Sequence, residues 1–211
     1  MPELLQRSYR DKLVTWIGRP CHFQLLYKIS RDGCSASTFH QKCDGQGATV
    51  TVLYNTNKTI YGGFLSQSWH SSEEYYEDQN TMECVEEYPY NQESWNSNSA
   101  AIYDPDALIF RLQYNGSFNP MKFPVSKASH AGYGKIGYGP TFGRGHDICT
   151  FSGTITSSGN IFSLNGHCNL GNSFSLNGEN RNTITNNNMK VTDLEVYKVL
   201  GKFVITIDVN I

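Results

Sequence analysis

Charge is scarce in this chain, and positive charge nowhere gathers. Of its 211 residues, 17% are Asp, Glu, Lys or Arg, and the formal net charge is −2. No Lys/Arg-rich run exists to neutralise a row of phosphates, so nucleic acid is not an expected partner. Long apolar runs are missing too. No stretch approaches the roughly 20 residues that a membrane-spanning helix needs, and the opening MPELLQRSYRDK is too polar for a secretory signal. The expectation is a cytoplasmic or nuclear protein without membrane insertion. Cysteine occurs six times, at Cys21, Cys34, Cys43, Cys84, Cys149 and Cys168, with no C-x-x-C pair. A zinc site normally shows close ligand pairs and a disulfide framework needs a secretory route, so these read as reduced thiols, most of them buried. For the same reason the sequons Asn57-Lys58-Thr59 and Asn115-Gly116-Ser117 carry no weight.

What is plentiful favours strands and turns: 19 glycines, 13% aromatic residues and many Asn, Ser and Thr. Residues 3–17 predict an opening helix, with Leu5, Tyr9, Leu13, Trp16 and Ile17 along one stripe, stopped by Gly18 and Pro20. Strands are expected over His22–Tyr27, Ala48–Tyr54, Thr59–Leu65 and Ala107–Leu112, the second and third as a hairpin, with a short helix over Ser37–Lys42. Paired strands over Ile148–Thr156 and Asn160–Leu164, then Phe174–Leu176, Leu194–Val199 and Lys202–Ile211, complete the pattern. Many short strands separated by turns predict a mainly β fold, a two-layer antiparallel β-sandwich with a few short peripheral helices. The division expected is an N-terminal helix over 1–20 and a single domain over 21–211.

Two stretches stand apart. From His70 to Tyr103 there is no Lys or Arg, while Glu73, Glu74, Glu77, Asp78, Glu83, Glu86, Glu87 and Glu93 crowd among tyrosines. This reads as an acidic surface insertion at about 70–104, or as a docking site for a basic partner. Its aromatics, Trp69, Tyr75, Tyr76, Tyr88, Tyr90 and Trp95, read as surface groups of the kind favoured at protein interfaces. Between Gly132 and Gly145 lie six glycines, suited to irregular backbone or close strand packing. The run is no phosphate loop, because G-x-x-x-x-G-K-[ST] is absent.

Catalytic groups are present but not assembled into a recognisable site. On a regular strand Asp147 and Cys149 would share a face with His146 opposite, which argues against a Cys/His nucleophile pair. His130 and the His167-Cys168 pair are isolated candidate metal ligands. Asp193 and Glu195 share a strand face, and Glu195 reads as the anchor of a structural hydrogen-bond network rather than half of a glycosidase pair. No catalytic residue, metal or cofactor is expected.

Taken in order, several motifs resemble the TLDc domain family. They are Leu25-Leu26-Tyr27, Arg31-Asp32-Gly33, Phe39-His40 with Cys43-Asp44, Gly47 to Val52, and Ile60-Tyr61-Gly62-Gly63-Phe64 with Trp69. Asp104 to Phe110, Tyr138 to Gly143 followed by Gly145-x-Asp147, Cys168 to Phe174 and Leu194 to Tyr197 continue the likeness. The acidic insertion and Arg144 depart from it. The resemblance implies a non-enzymatic protein-interaction module that engages the peripheral sector of the vacuolar proton-pumping ATPase and protects against oxidative stress. It singles out Gly62, Gly63, Trp69, Gly143 and Glu195 as shaping or supporting a binding surface, the glycines and Glu195 being equally readable as structural. The opening helix leading into Leu25-Leu26-Tyr27-Lys28 also resembles the interferon-induced 44-like family, in which such a region precedes a GTPase-like domain. That likeness implies a regulatory domain in innate immunity. A third reading, an antioxidant enzyme using Cys149 or Cys168, requires an exposed thiol of low pKa.

Overall fold

A twelve-residue strand, β13 (Lys190–Gly201), is the spine of the structure. The computed structural model describes residues 4–73, 100–180 and 183–201. Most of the acidic stretch, with Cys84, Tyr75, Tyr76, Tyr88, Tyr90 and Trp95, lies outside the described residues, as does the strand expected over 202–211. On one side β13 pairs with β2 (Thr49–Asn55). On the other it pairs successively with β11 (Ile161–Ser163) and β1 (Cys21–Lys28). The sheet continues from β2 through β3 (Ile60–Leu65) and β5 (Leu108–Tyr114) to β6 (Ser117–Pro124), and β10 (Ser157–Ser158) closes the far edge beside β11. A second sheet runs in the order β12 (His167–Cys168), β9 (Ile148–Cys149), β8 (Thr141–Phe142), β7 (Gly132–Tyr133) and β4 (Ala101–Ile102). Every pairing within the two sheets is antiparallel among the described residues. The expected mainly β architecture is the one observed.

The large sheet is covered on both faces, which explains why every residue of β2 and β3 is buried. One face carries Leu53, Tyr61, Leu65, Ile109, Leu194 and Val196 against Ile102, Phe142 and Ile148 of the small sheet and Phe39 of the helix α3 (Ala36–Cys43), which follows the one-turn helix α2 (Ile29–Asp32). The other face carries Val50, Val52, Phe64, Phe110, Tyr197 and Val199 against Leu5, Tyr9 and Leu13 of the opening segment and its helix α1 (Arg7–Ile17). The predicted stripe is thus the buried one, with Trp16 and Ile17 packed at its margin. Gly18, at φ 76°, caps α1 by donating its N–H to the Val14 carbonyl. Ser35 caps α3, its Oγ accepting from the Thr38 N–H at 3.2 Å.

Several elements differ from expectation. The strand predicted over Ile148–Thr156 stops at Cys149, and the backbone then runs irregularly to the β10–β11 hairpin. Phe174 contributes a single bridge to Val125 rather than a strand. Strand β6 is not among the expected strands, and Pro120 and Pro124 interrupt the sequence pattern there. Its signal was the Asn115-Gly116 turn, whose φ values of 48° and 83° suit a tight hairpin after β5.

Candidate functional site

Two clusters of ionisable side chains are assembled by this framework, one on each sheet. The first grows from a register irregularity in β1. Cys21 and Phe23 face the α1 side, but the pairing with β13 slips between Leu25 and Tyr27. An extra residue reverses the side-chain phase, so Tyr27 joins the opposite core and Lys28 lies beside Glu195. The Lys28 ammonium sits 2.6 Å from Glu195 Oε1 and 3.0 Å from Asp193 Oδ2, all three side chains being buried. Glu195 also accepts from the hydroxyls of Tyr54, at 2.9 Å, and Tyr197, and from the Leu4 N–H at 3.3 Å. The Ser30 hydroxyl donates to Asp193 at 2.8 Å. Burial pulls the Lys28 pKa down, and the hydrogen bonds to Glu195 and Asp193 outweigh it and leave it raised. Burial and the neighbouring Glu195 push the Tyr54 phenol up. Glu195 is therefore the centre of a closed structural network, as its sequence position suggested.

The glycines singled out by sequence are also internal. A Cβ on Gly62 would strike the Thr51 carbonyl, and one on Gly63 would lie 2.5 Å from the Phe142 ring. Gly63 is where the small sheet rests on the large one. Trp69 requires a correction. It was read as a surface aromatic because acidic residues follow it, but it is only 1% exposed and donates its indole N–H to Thr49 Oγ1 at 2.9 Å. Its ring packs edge-on against Phe39 and Phe142, at centroid distances of 5.5 and 5.4 Å. Composition of the flanking chain does not report burial when the residue itself is anchored beside α3 by the Asp44–Trp69 bridge.

The second cluster lies on the small sheet. Gly143, at φ 83°, leaves room for the Asp147 carboxylate, which a Cβ would strike. Asp147 accepts from the N–H groups of Gly171, Asn172 and Ser173 at 2.8–2.9 Å and of Phe174 at 3.3 Å, pinning the 171–174 loop to the start of β9. Burial raises its pKa against the opposing pull of these donors. His146 therefore sits not in a strand but in a turn, at φ 62°, and this overturns the expectation that it faces away from Cys149. Cys149 stands directly across from His167 in the β9–β12 pair. The donor atoms of His146, Cys149 and His167 all lie within 4.8 Å of one another. Tyr133 and Tyr138 pack against the His146 ring at 5.4 and 5.6 Å. Burial, with His167 beside it, lowers the His146 pKa. Sequence reasoning missed this grouping, although His146-x-x-Cys149 has the same two-residue gap as C-x-x-C.

The other isolated candidates do not join it. His130 pairs with Ser129 Oγ at 2.8 Å, and Cys168 donates to the Asp147 carbonyl at 3.2 Å. Burial pushes the Cys168 thiol up to about 12 and raises Cys149 as well, which does not supply the low-pKa thiol that the antioxidant-enzyme reading required. A groove of about 560 Å³ lies beside the end of α1, lined by Trp16, Arg19, Phe64, Asp106, Leu108 and Lys122.

These features define a two-sheet antiparallel protein whose buried polar residues chiefly hold the fold together. Residues 3–85 match the TLDc domain family, a stretch that spans α1 to β3 and Trp69 and covers under half of the chain. No curated protein matches the chain.

Proposed function

We propose that this chain is a TLDc-type interaction module that works by binding another protein rather than by catalysis. Its leading partner is the peripheral sector of the vacuolar proton-pumping ATPase, with resistance to oxidative stress as the consequence. The observation that carries the reading is the TLDc match over residues 3–85. On this reading the buried Gly62, Gly63 and Glu195 support the platform, and partner contacts are expected on outer surfaces. The groove beside α1 is one such surface, with Trp16 and Phe64 among its apolar lining and the exposed Arg19, Asp106 and Lys122 beside them. The acidic stretch, which lies mostly outside the described residues, is the second candidate on its charge alone.

The test is retention of purified peripheral-sector subunits on the full chain, alongside a 74–99 deletion and Arg19→Glu. Retention is expected, with loss on deletion assigning the contact to the acidic stretch and loss in Arg19→Glu assigning it to the groove. No retention of any pump subunit would sink the partner assignment. Capture of GTPase-like immune proteins instead would favour the interferon-induced 44-like reading, as would a P-loop motif downstream in a longer reading frame.

A further inference from the structure

The His146, Cys149 and His167 cluster has no part in the binding role proposed above, and its geometry serves no evident packing need. Two of its donors come from directly opposed positions of an antiparallel pair, where side chains share a face. The third is delivered by a turn in which a non-glycine residue holds positive φ, a conformation kept only where surrounding contacts enforce it. Those contacts are visible: the His146 N–H donates to the Gly143 carbonyl at 3.1 Å, and the Asp147 carboxylate clamps the next residue to four backbone N–H groups. Among the described residues, the ring nitrogens of His146 and His167 make no hydrogen bond. Cys149 is 3% exposed, whereas His167 lies at the surface, so the cluster is deep at its cysteine and open at one imidazole.

We propose that these three side chains bind a single zinc-class transition-metal ion, with a fourth position open to water or an exogenous ligand. One thiolate and two imidazoles are the donor types that zinc takes, and three protein ligands with an open position is the arrangement of accessible rather than closed zinc sites. Bonds of about 2.0–2.3 Å in a tetrahedron place donor atoms about 3.3–3.6 Å apart. The observed separations, within 4.8 Å, need closure by about an ångström. Side-chain rotation, freest at the exposed His167, is the adjustment that the proposal requires. The His167 backbone N–H is placed to donate to a Cys149 thiolate, an outer contact of the kind that orients a ligating sulfur, while Thr141 Oγ1, 3.9 Å from the sulfur, donates to the Gly139 carbonyl at 2.9 Å.

Cobalt(II) is the probe, because a thiolate-bound tetrahedral cobalt ion absorbs strongly in the near ultraviolet and zinc displaces it without colour. The full chain, reduced and stripped of metal, is titrated with cobalt and then zinc, beside Cys149→Ser, His167→Ala and Cys168→Ser. One equivalent of cobalt is expected to give the thiolate band, and zinc to abolish it. Cys149→Ser should lose the band, and His167→Ala should weaken binding at least about 10-fold, while Cys168→Ser behaves as the parent. Because His167 is exposed, an unchanged melting temperature of the metal-free His167→Ala protein separates ligand loss from misfolding. Absence of the band at millimolar cobalt would overturn the proposal. So would a band that survives in Cys149→Ser or ignores His167→Ala, since other thiols would then be the ligands. Neither result bears on the pump-subunit experiment.

Discussion

The Glu195 cluster on the large sheet and the His146 cluster on the small sheet start from similar material and end in opposite states. Each gathers ionisable side chains from distant parts of the chain by means of a backbone irregularity, a register slip in β1 for one and a positive-φ turn before β9 for the other. Around Glu195 the acceptors are met by an ammonium, two phenols and a backbone N–H, with nothing left to take a ligand. Around Cys149 the donor atoms face one another at up to 4.8 Å and one of the three side chains is exposed. The difference teaches where stability and where chemistry reside. A buried charge network that is complete holds elements together, and one that is incomplete is available to something else.

The comparison breaks first at Glu195. Glu195→Ala leaves Lys28 buried beside Asp193 alone and strips two tyrosine hydroxyls of their acceptor, so a loss of about 3–5 kcal/mol is expected in urea unfolding. A loss under about 1 kcal/mol would mean that the network does not close the fold. The two sheets that carry the clusters meet at Gly63, against which Phe142 of the small sheet packs. Gly63→Ala should cost about 1–3 kcal/mol by forcing that ring outward and should alter the near-ultraviolet dichroism of Trp69, which packs edge-on against the same ring. Unchanged stability and spectrum would show that the sheets slide freely there.

How much of this was legible in sequence depends on how far each element extends. The β-branched run of β2, the Gly18 stop of α1 and the Leu194–Val199 part of β13 are local patterns, and each was readable, whereas the extension of β13 back to Lys190 was not. The small sheet is made of two-residue strands, which are too short to carry an alternation. Its existence follows from the Gly143 turn and the Asp147 clamp, which are tertiary facts. Glu195 was legible as a structural anchor, but its partner Lys28 was not, because the register slip that brings it round has no sequence signature. Trp69 was misread from its neighbours' charge. His146-x-x-Cys149 was present as a spacing and was set aside because regular strand alternation was assumed where a turn occurs.

The closed network also sharpens the contrast through pH. Burial pushes the Asp32 carboxyl up, but the Arg31 guanidinium and the Lys28 N–H outweigh it and hold it below its ordinary 3.8. A depressed carboxylate contributes stability that is present above the unfolded value and lost as pH falls through the folded one. Lys28 is the reverse case: raised above 10.5, it contributes stability that is present below that value and lost as pH climbs through the folded pKa. From these two groups melting temperature should therefore fall below about pH 4 and above about pH 10, with a further decline below 6.5 from His146, whose pKa is lowered. Lys28→Met should remove Lys28's own share of the alkaline fall. An alkaline fall undiminished in Lys28→Met would assign it to other groups.

The smallest effect expected is the most informative about the open cluster. His167 is exposed, and its ring contact is with His146 at 5.3 Å. A surface substitution of this kind costs within about 0.5 kcal/mol, so metal-free His167→Ala should unfold at the parent's urea midpoint. Paired with Glu195→Ala, it puts the two clusters on one scale. If His167→Ala instead costs more than about 1 kcal/mol, the imidazole is a structural prop of the β9–β12 pair. The distinction between a closed and an open cluster then disappears. If the cost is negligible while cobalt binding falls, the small sheet holds its imidazole in place for a ligand and not for the fold.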